Sequence, residues 1–210
     1  MDLDPVEVRI LGCLIEKQRT TPDQYPLSLN ALRLACNQTT NRDPVVNYDE
    51  DTIRGGLHRL GRRRFTRLAS GHSSRASKYR HLLDDELRLD PAEQAVLAVL
   101  MLRGAQTPGE LKQRTERMQG FGGIAEVNEV LTRLIDRQLV HELARRPGQK
   151  EERFRHRLSE DLEEEEVQAA PTPAAIVPPP PRRDERLDRL EAEVAALRED
   201  IAAIKAELGV

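Results

Sequence analysis

The chain has 210 residues, of which 38% are hydrophobic and 33% charged, while aromatics supply only 3%. A core so short of rings must be built from Leu, Val, Ile and Ala, which argues against a β-sandwich and for helices. The formal net charge of −3 excludes no class of partner, because it sums two opposite segments: Thr52 to Leu83 holds no Asp or Glu, whereas Glu160 to Glu166 is almost wholly acidic. No apolar run approaches the ~20 residues of a membrane span. Met1 to Pro5 lacks the basic and apolar regions of a secretion signal. A cytoplasmic protein with no membrane partner is expected.

In chain order, Asp4-Pro5-Val6-Glu7 opens the first predicted helix, which continues through Ile10, Leu11 and Leu14. Asp is an N-cap, Pro takes the first helical position at no hydrogen-bonding cost, and Glu lies near the positive end of the helix dipole. A short second helix is predicted from about Ser28 to Asn37, with Ser28 as its cap. Cys13 and Cys36 fall on apolar helical faces and read as small buried hydrophobes, since their spacing offers neither a disulfide nor a metal motif. Ile53, Leu57 and Leu60 mark a third helix. Two β-prone runs follow, Phe65–Ala69 and Ala76–His81, around a turn that contains Gly71.

The pattern then repeats. Asp90-Pro91-Ala92-Glu93 with Val96, Leu97 and Leu100 restates D-P-x-E-x-x-[IV]-L-x-x-L. A helix from about Thr107 to Thr115 opens with a capping box at Thr107 and Glu110. Val127, Leu131 and Leu134 mark the next helix, and the string L-x-R-L-x-x-R occurs in both third helices, at Leu57–Arg63 and Leu131–Arg137. The runs Leu139–Ala144 and Glu151–Arg157 close the second set around a Pro-Gly turn. Gly120-Phe121-Gly122-Gly123 reads as an interhelical turn. Helix, helix, helix, hairpin is the order of a winged helix. The expected fold is therefore mainly α with small β wings: two tandem winged-helix domains, residues 1–83 and 84–158, followed by a C-terminal coiled-coil helix.

The first half also resembles a known family. Glu16-Lys17, the run Thr20-Thr21-Pro22-Asp23-Gln24-Tyr25-Pro26-Leu27-Ser28-Leu29-Asn30-Ala31-Leu32, then Ala35-Cys36-Asn37-Gln38 and Asn41-Arg42-Asp43-Pro44-Val45, are similar to the bacterial YceH-like family. Arg75-Ala76-Ser77-Lys78-Tyr79-Arg80-His81 fits as well. The resemblance extends over about residues 4–158. It implies two winged-helix domains and a cytoplasmic protein, and it implies no activity. The tail beyond reads as an addition.

Winged helices that bind DNA usually lay the third helix in the major groove and touch phosphate with the wing. With Ile53, Leu57 and Leu60 buried, the opposite face of the third helix carries Asp51, Gly55, His58, Arg59 and Arg62, flanked by Arg54 and Arg63. Arg75, Lys78 and Arg80 fall on or beside the wing. These cations form the electrostatic footprint of phosphate contact. Acidic Asp49-Glu50-Asp51 at the leading end of the helix supports the other reading, a solvated or protein-binding face. In the second unit the aligned face carries Glu129, Thr132, Arg133 and Asp136, which points to contact with the first unit or another protein. The five histidines have no ligand spacing and no catalytic triad order occurs. Neither a metal, a cofactor nor an enzyme is expected.

Residues 159–182 form an acidic and proline-rich linker, predicted to be disordered and, through its prolines, extended. In residues 183–210, Leu187, Leu190, Val194, Leu197, Ile201, Ile204 and Leu208 are spaced alternately by three and four, a heptad seam. With Leu187 at a, the flanking pairs Arg186–Glu191, Glu193–Arg198 and Asp200–Lys205 are attractive in a parallel, in-register homodimer; the alternative is a helix docked on its own chain. The sequence thus leads to a dimeric regulatory protein that binds duplex DNA through the first unit, with a protein-interaction scaffold as the alternative.

Overall fold

The computed structural model describes residues 2–69, 77–144 and 151–159. Arg75, residues 160–182 of the linker and the heptad seam lie outside the described residues. The chain is mainly α with small antiparallel sheets. The order helix, helix, helix, strand, strand occurs twice: α1 (Pro5–Thr20), α2 (Leu29–Cys36), α3 (Glu50–Arg62), β2 (Thr66–Leu68) and β3 (Lys78–His81), then α5 (Pro91–Arg103), α6 (Pro108–Thr115), α7 (Ile124–Asp136), β4 (Val140–Leu143) and β5 (Arg153–His156). A two-residue β1 (Leu27–Ser28) and a short acidic helix α4 (Leu83–Leu87) lie outside this repeated order. The sequence reading did not anticipate either one.

The caps follow from the sequence. Asp4 and Asp90 each accept from the N–H three residues on, at 2.8 Å, while Glu7 and Glu93 accept from the cap N–H at 3.0 Å, closing two capping boxes. Thr107 and Glu110 close a third, and Ser28 caps α2. Both third helices end alike. Arg64 and Gln138 take left-handed backbone, φ 62° and 56°, and the next N–H groups, of Phe65 and Leu139, return to Leu60 and Leu134 carbonyls at 2.9 Å.

The sheets repeat as well. β3 pairs with β2 on one edge and β1 on the other, with Leu27 opposite Tyr79. In the second half Gln106, just before the α6 cap, bridges to Phe154 of β5 in the corresponding place. His81 and His156 are the equivalent buried residues at the strand ends, paired with Thr66 and Val140.

The two repeats belong to one compact unit, residues 1–166, and share one core. Its axis is the α1–α5 pair. Glu93 to Leu102 is buried without a break, so α5 is enclosed on all sides. A Cβ on Gly12 would meet Leu102 Cγ at 2.9 Å, so glycine sets how closely α1 approaches α5. The Leu3 N–H donates to the Leu158 carbonyl and the Asp43 N–H to the Leu102 carbonyl, both at 2.8 Å. Cys13 and Cys36 are buried and free.

Candidate nucleic-acid interface

The matched strings D-P-x-E and L-x-R-L-x-x-R meet in space. In the first half Arg59 ion-pairs with Asp4 and with Glu7, the latter at 3.2 Å, and Arg63 lies 3.7 Å from Glu7. Arg63 also donates to the Asp2 carbonyl and stacks 5.6 Å from the Phe65 ring centre. In the second half Arg133 pairs with Asp90 at 3.0 Å and Glu93 at 3.7 Å, and Arg137 pairs with Glu93 at 2.9 Å. Each buried glutamate therefore satisfies its own helix cap, accepts a hydrogen bond from one arginine and lies in ion-pair range of a second, the two arginines coming from the third helix and its C-cap. This lock explains why both strings recur. It also assigns Arg59 and Arg63 a structural task at the edge of α1.

The reason lies in Gly56. A Cβ there would meet Ile10 Cδ1 at 2.7 Å and Val6 Cγ1 at 3.1 Å. Gly56 widens the buried arc of α3 toward α1, and Arg59 and Arg63 border that side. Gly55, on the face projected opposite the buried residues, would place a Cβ no nearer than 3.5 Å to any neighbour, the Arg59 guanidinium.

Exposed on α3 are Glu50, Asp51, Arg54, His58, Arg59, Gly61 and Arg62, of which Arg59 is engaged in the lock. Between this face and the sheet lies a groove of about 670 Å3, lined by Arg54, His58, Arg62 and Arg67 together with Leu57, Leu68 and Tyr79. Arg54 is partly neutralised within its own helix, 3.7 Å from Glu50 and 3.9 Å from Asp51. Asp49, the N-cap of α3, is occupied too: the Thr52 N–H holds its carboxyl below the usual carboxylate range. His58, Arg62 and Arg67 have no hydrogen-bond or ion-pair partner among the described residues. Arg67 sits directly opposite Arg80 across β2 and β3, a like-charge pairing that disfavours the sheet unless an anion offsets it. Lys78 lies at the start of β3. Arg67 lies within the carboxylate-free stretch from Thr52 to Leu83, and its register opposite Arg80 is what the sequence does not display.

The corresponding positions in the second half are Asn128, Thr132, Asp136 and His141. The lock is thus common to both repeats, while the basic groove belongs to the first. Among the described residues no group of three His, Cys, Asp or Glu side chains converges as a metal site. No described helix is long and apolar enough to cross a membrane.

Comparison with known proteins places this architecture in a family. Residues 3–149 match the family described as "Protein of unknown function, DUF480". The chain is 48% identical over 200 residues to a "UPF0502 protein" of Geotalea uraniireducens, covering 94% of this chain and 91% of that one. It is 45% identical to a "UPF0502 protein" of Serratia proteamaculans, covering 97% and 95%. It is 42% identical to "UPF0502 protein YceH" of Salmonella agona, covering 99% and 98%. Coverage this complete overturns the expectation that the tail is an addition to the family's chain. By these matches the chain belongs to the DUF480 family, among the UPF0502 and YceH-like proteins.

Proposed function

We propose that the protein is a regulatory duplex-DNA-binding protein, with both repeats read as winged helices and only the first docking on the duplex. The observation that supports this is the contrast between equivalent faces: Arg54, His58, Arg62 and Arg67 line the α3 groove, where the second repeat has Asn128, Thr132, Asp136 and His141. In this reading α3 enters the major groove, with His58 and Arg62 toward base edges and Arg67, Lys78 and Arg80 against phosphate. Arg59 and Arg63 orient α3 from behind. The protein acts by binding, without a catalytic step. The heptad seam at Leu187–Leu208 pairs two chains in parallel and presents two such faces to one site.

A second reading has one observation in its favour. Leu68 is 57% exposed and lines the groove beside Leu57 and Tyr79, an apolar strip that suits a protein segment. Fluorescence anisotropy of the full chain with a labelled duplex, titrated with salt, separates the two. DNA binding predicts an affinity that falls steeply with salt and is abolished by Arg62→Glu with Arg67→Glu. Salt-independent binding, or no binding by the unmutated chain, contradicts the DNA reading.

A further inference from the structure

A second concentration of arginine lies where the two repeats meet. The segment between α2 and α3 crosses the end of α5, held by the Asp43 N–H on the Leu102 carbonyl. Two clefts open beside it, of about 480 and 650 Å3, and share Asn41, Arg103 and Arg114 in their walls. Neither shares a lining residue with the α3 groove.

The charges of these clefts are incompletely matched. Arg42 is satisfied: its side chain is fully buried and grips both Glu16 oxygens, at 3.1 and 2.6 Å. The others are not. Arg103 donates to the neutral Asn41 side chain and has no carboxylate in ion-pair range among the described residues. Arg114 and Arg153 share one carboxylate, Glu110, at 3.3 Å each. Arg117, on the wall of the larger cleft, has no partner among the described residues. Asp43 is the other carboxylate on the smaller cleft. Burial first, and next the neighbouring Arg114, depress the Arg103 guanidinium below its ordinary range.

An adjoining cavity of about 210 Å3 shares Asp43 and Gly104 with the smaller cleft and is lined by Arg9. Arg9 is 4% exposed. It donates to two carbonyls, of Cys36 at 3.2 Å and Pro44 at 2.6 Å, with no carboxylate in ion-pair range among the described residues. A buried cation normally finds a counter-charge. Here two carbonyl dipoles stand in place of a carboxylate.

We propose that the junction between the repeats binds a small organic phosphate, with Arg103 and Arg114, common to both clefts, as its principal ligands, Arg117 on the wall of the larger cleft and Arg153 on that of the smaller. Guanidinium forks match phosphate oxygens in pairs, and a multiply charged anion offsets several arginines at once. The ligand would tie the α2–α3 segment and the α5–α6 corner together, so that binding stabilises the whole unit by mass action. This inference stands apart from the DNA reading, since it uses other residues.

The test is thermal unfolding of the full chain with inorganic pyrophosphate, ionic strength held constant with sodium chloride. The proposal predicts a saturable rise in Tm, with one pyrophosphate bound per chain by calorimetry. Arg103→Gln with Arg114→Gln should weaken binding at least tenfold, and exposed Arg117→Gln alone, which disturbs no described contact, should weaken it several-fold. Arg62→Gln with Arg67→Gln should leave it unchanged. A rise that never saturates, or one that Arg117→Gln leaves intact, or one lost in the Arg62 and Arg67 variant, overturns the proposal.

Discussion

The two repeats have the same scaffold and different faces. Both carry the capping box, the buried glutamate with its two arginines, the left-handed residue after the third helix and a buried histidine in the last strand. On the exposed side of the third helix the correspondence stops: His58 and Arg62 in the first repeat stand where Thr132 and Asp136 stand in the second. Features shared by the repeats serve folding. Features confined to one are where function is to be sought. By that criterion Arg59 and Arg63 move to the scaffold, because Arg133 and Arg137 do the same work, and the groove cations keep their claim.

The scaffold side of the comparison can be broken symmetrically. Glu7→Ala and Glu93→Ala each remove a cap acceptor and leave two arginines without their buried partner, so each should cost about 3 kcal/mol. Urea denaturation of both variants measures it; a large loss in one and none in the other would show that the repeats are not equivalent.

Acid should weaken both repeats through their histidines. Burial first of all pushes His81 and His156 down to about 4. The Leu158 N–H donates to His156 Nδ1 at 3.3 Å, which requires that nitrogen to be unprotonated. For His81, Asp84 lies 3.5 Å from Nδ1, and its attraction is outweighed by burial. Unfolded histidine titrates near 6.5, so the unfolded chain takes up protons first. The stabilisation is complete above about pH 6.5 and is lost as pH falls toward 4. Each histidine should account for on the order of 2–3 kcal/mol across that window. His156→Gln should flatten the decline measured by denaturation between pH 7 and 5, and an unchanged slope would mean that the ring does not titrate there.

The smallest effect is a gain. Arg64→Gly and Gln138→Gly place glycine where the backbone is left-handed and should each stabilise by about 0.5–1 kcal/mol. A loss at Arg64 alone would mean that its side chain has a task in the first repeat.

Much of the scaffold was legible in the sequence. Caps at Asp4, Ser28, Asp90 and Thr107 were readable because capping depends on residues three apart. The structure's other lessons depend on residues far apart. The matching strings were visible, but their contact joins Glu7 to Arg59 and Glu93 to Arg133 through tertiary packing; opposite charges recurring in both halves were the available clue. The basic face was projected from Ile53, Leu57 and Leu60 alone. Gly56 has no side chain to register as apolar, so its contact with α1 went uncounted, and with it the pairing of the exposed Arg59 with Asp4 and Glu7. β1 is two residues long, too short to show alternation. The arginines of the junction come from α5, α6, the turn that follows α6 and β5, and no local pattern links them.

The central claim is that the α3 groove of the first repeat, and not its counterpart in the second, contacts duplex DNA. The most direct measurement is duplex affinity of the full chain by anisotropy at several salt concentrations, comparing Arg62→Gln with Arg67→Gln in the first repeat against Thr132→Ala with Asp136→Asn in the second. The account predicts at least a tenfold loss in the first pair, with the salt slope reduced by roughly 1 through Arg67, and no loss in the second. Equal affinities for the unmutated chain and the Arg62 and Arg67 variant would contradict it.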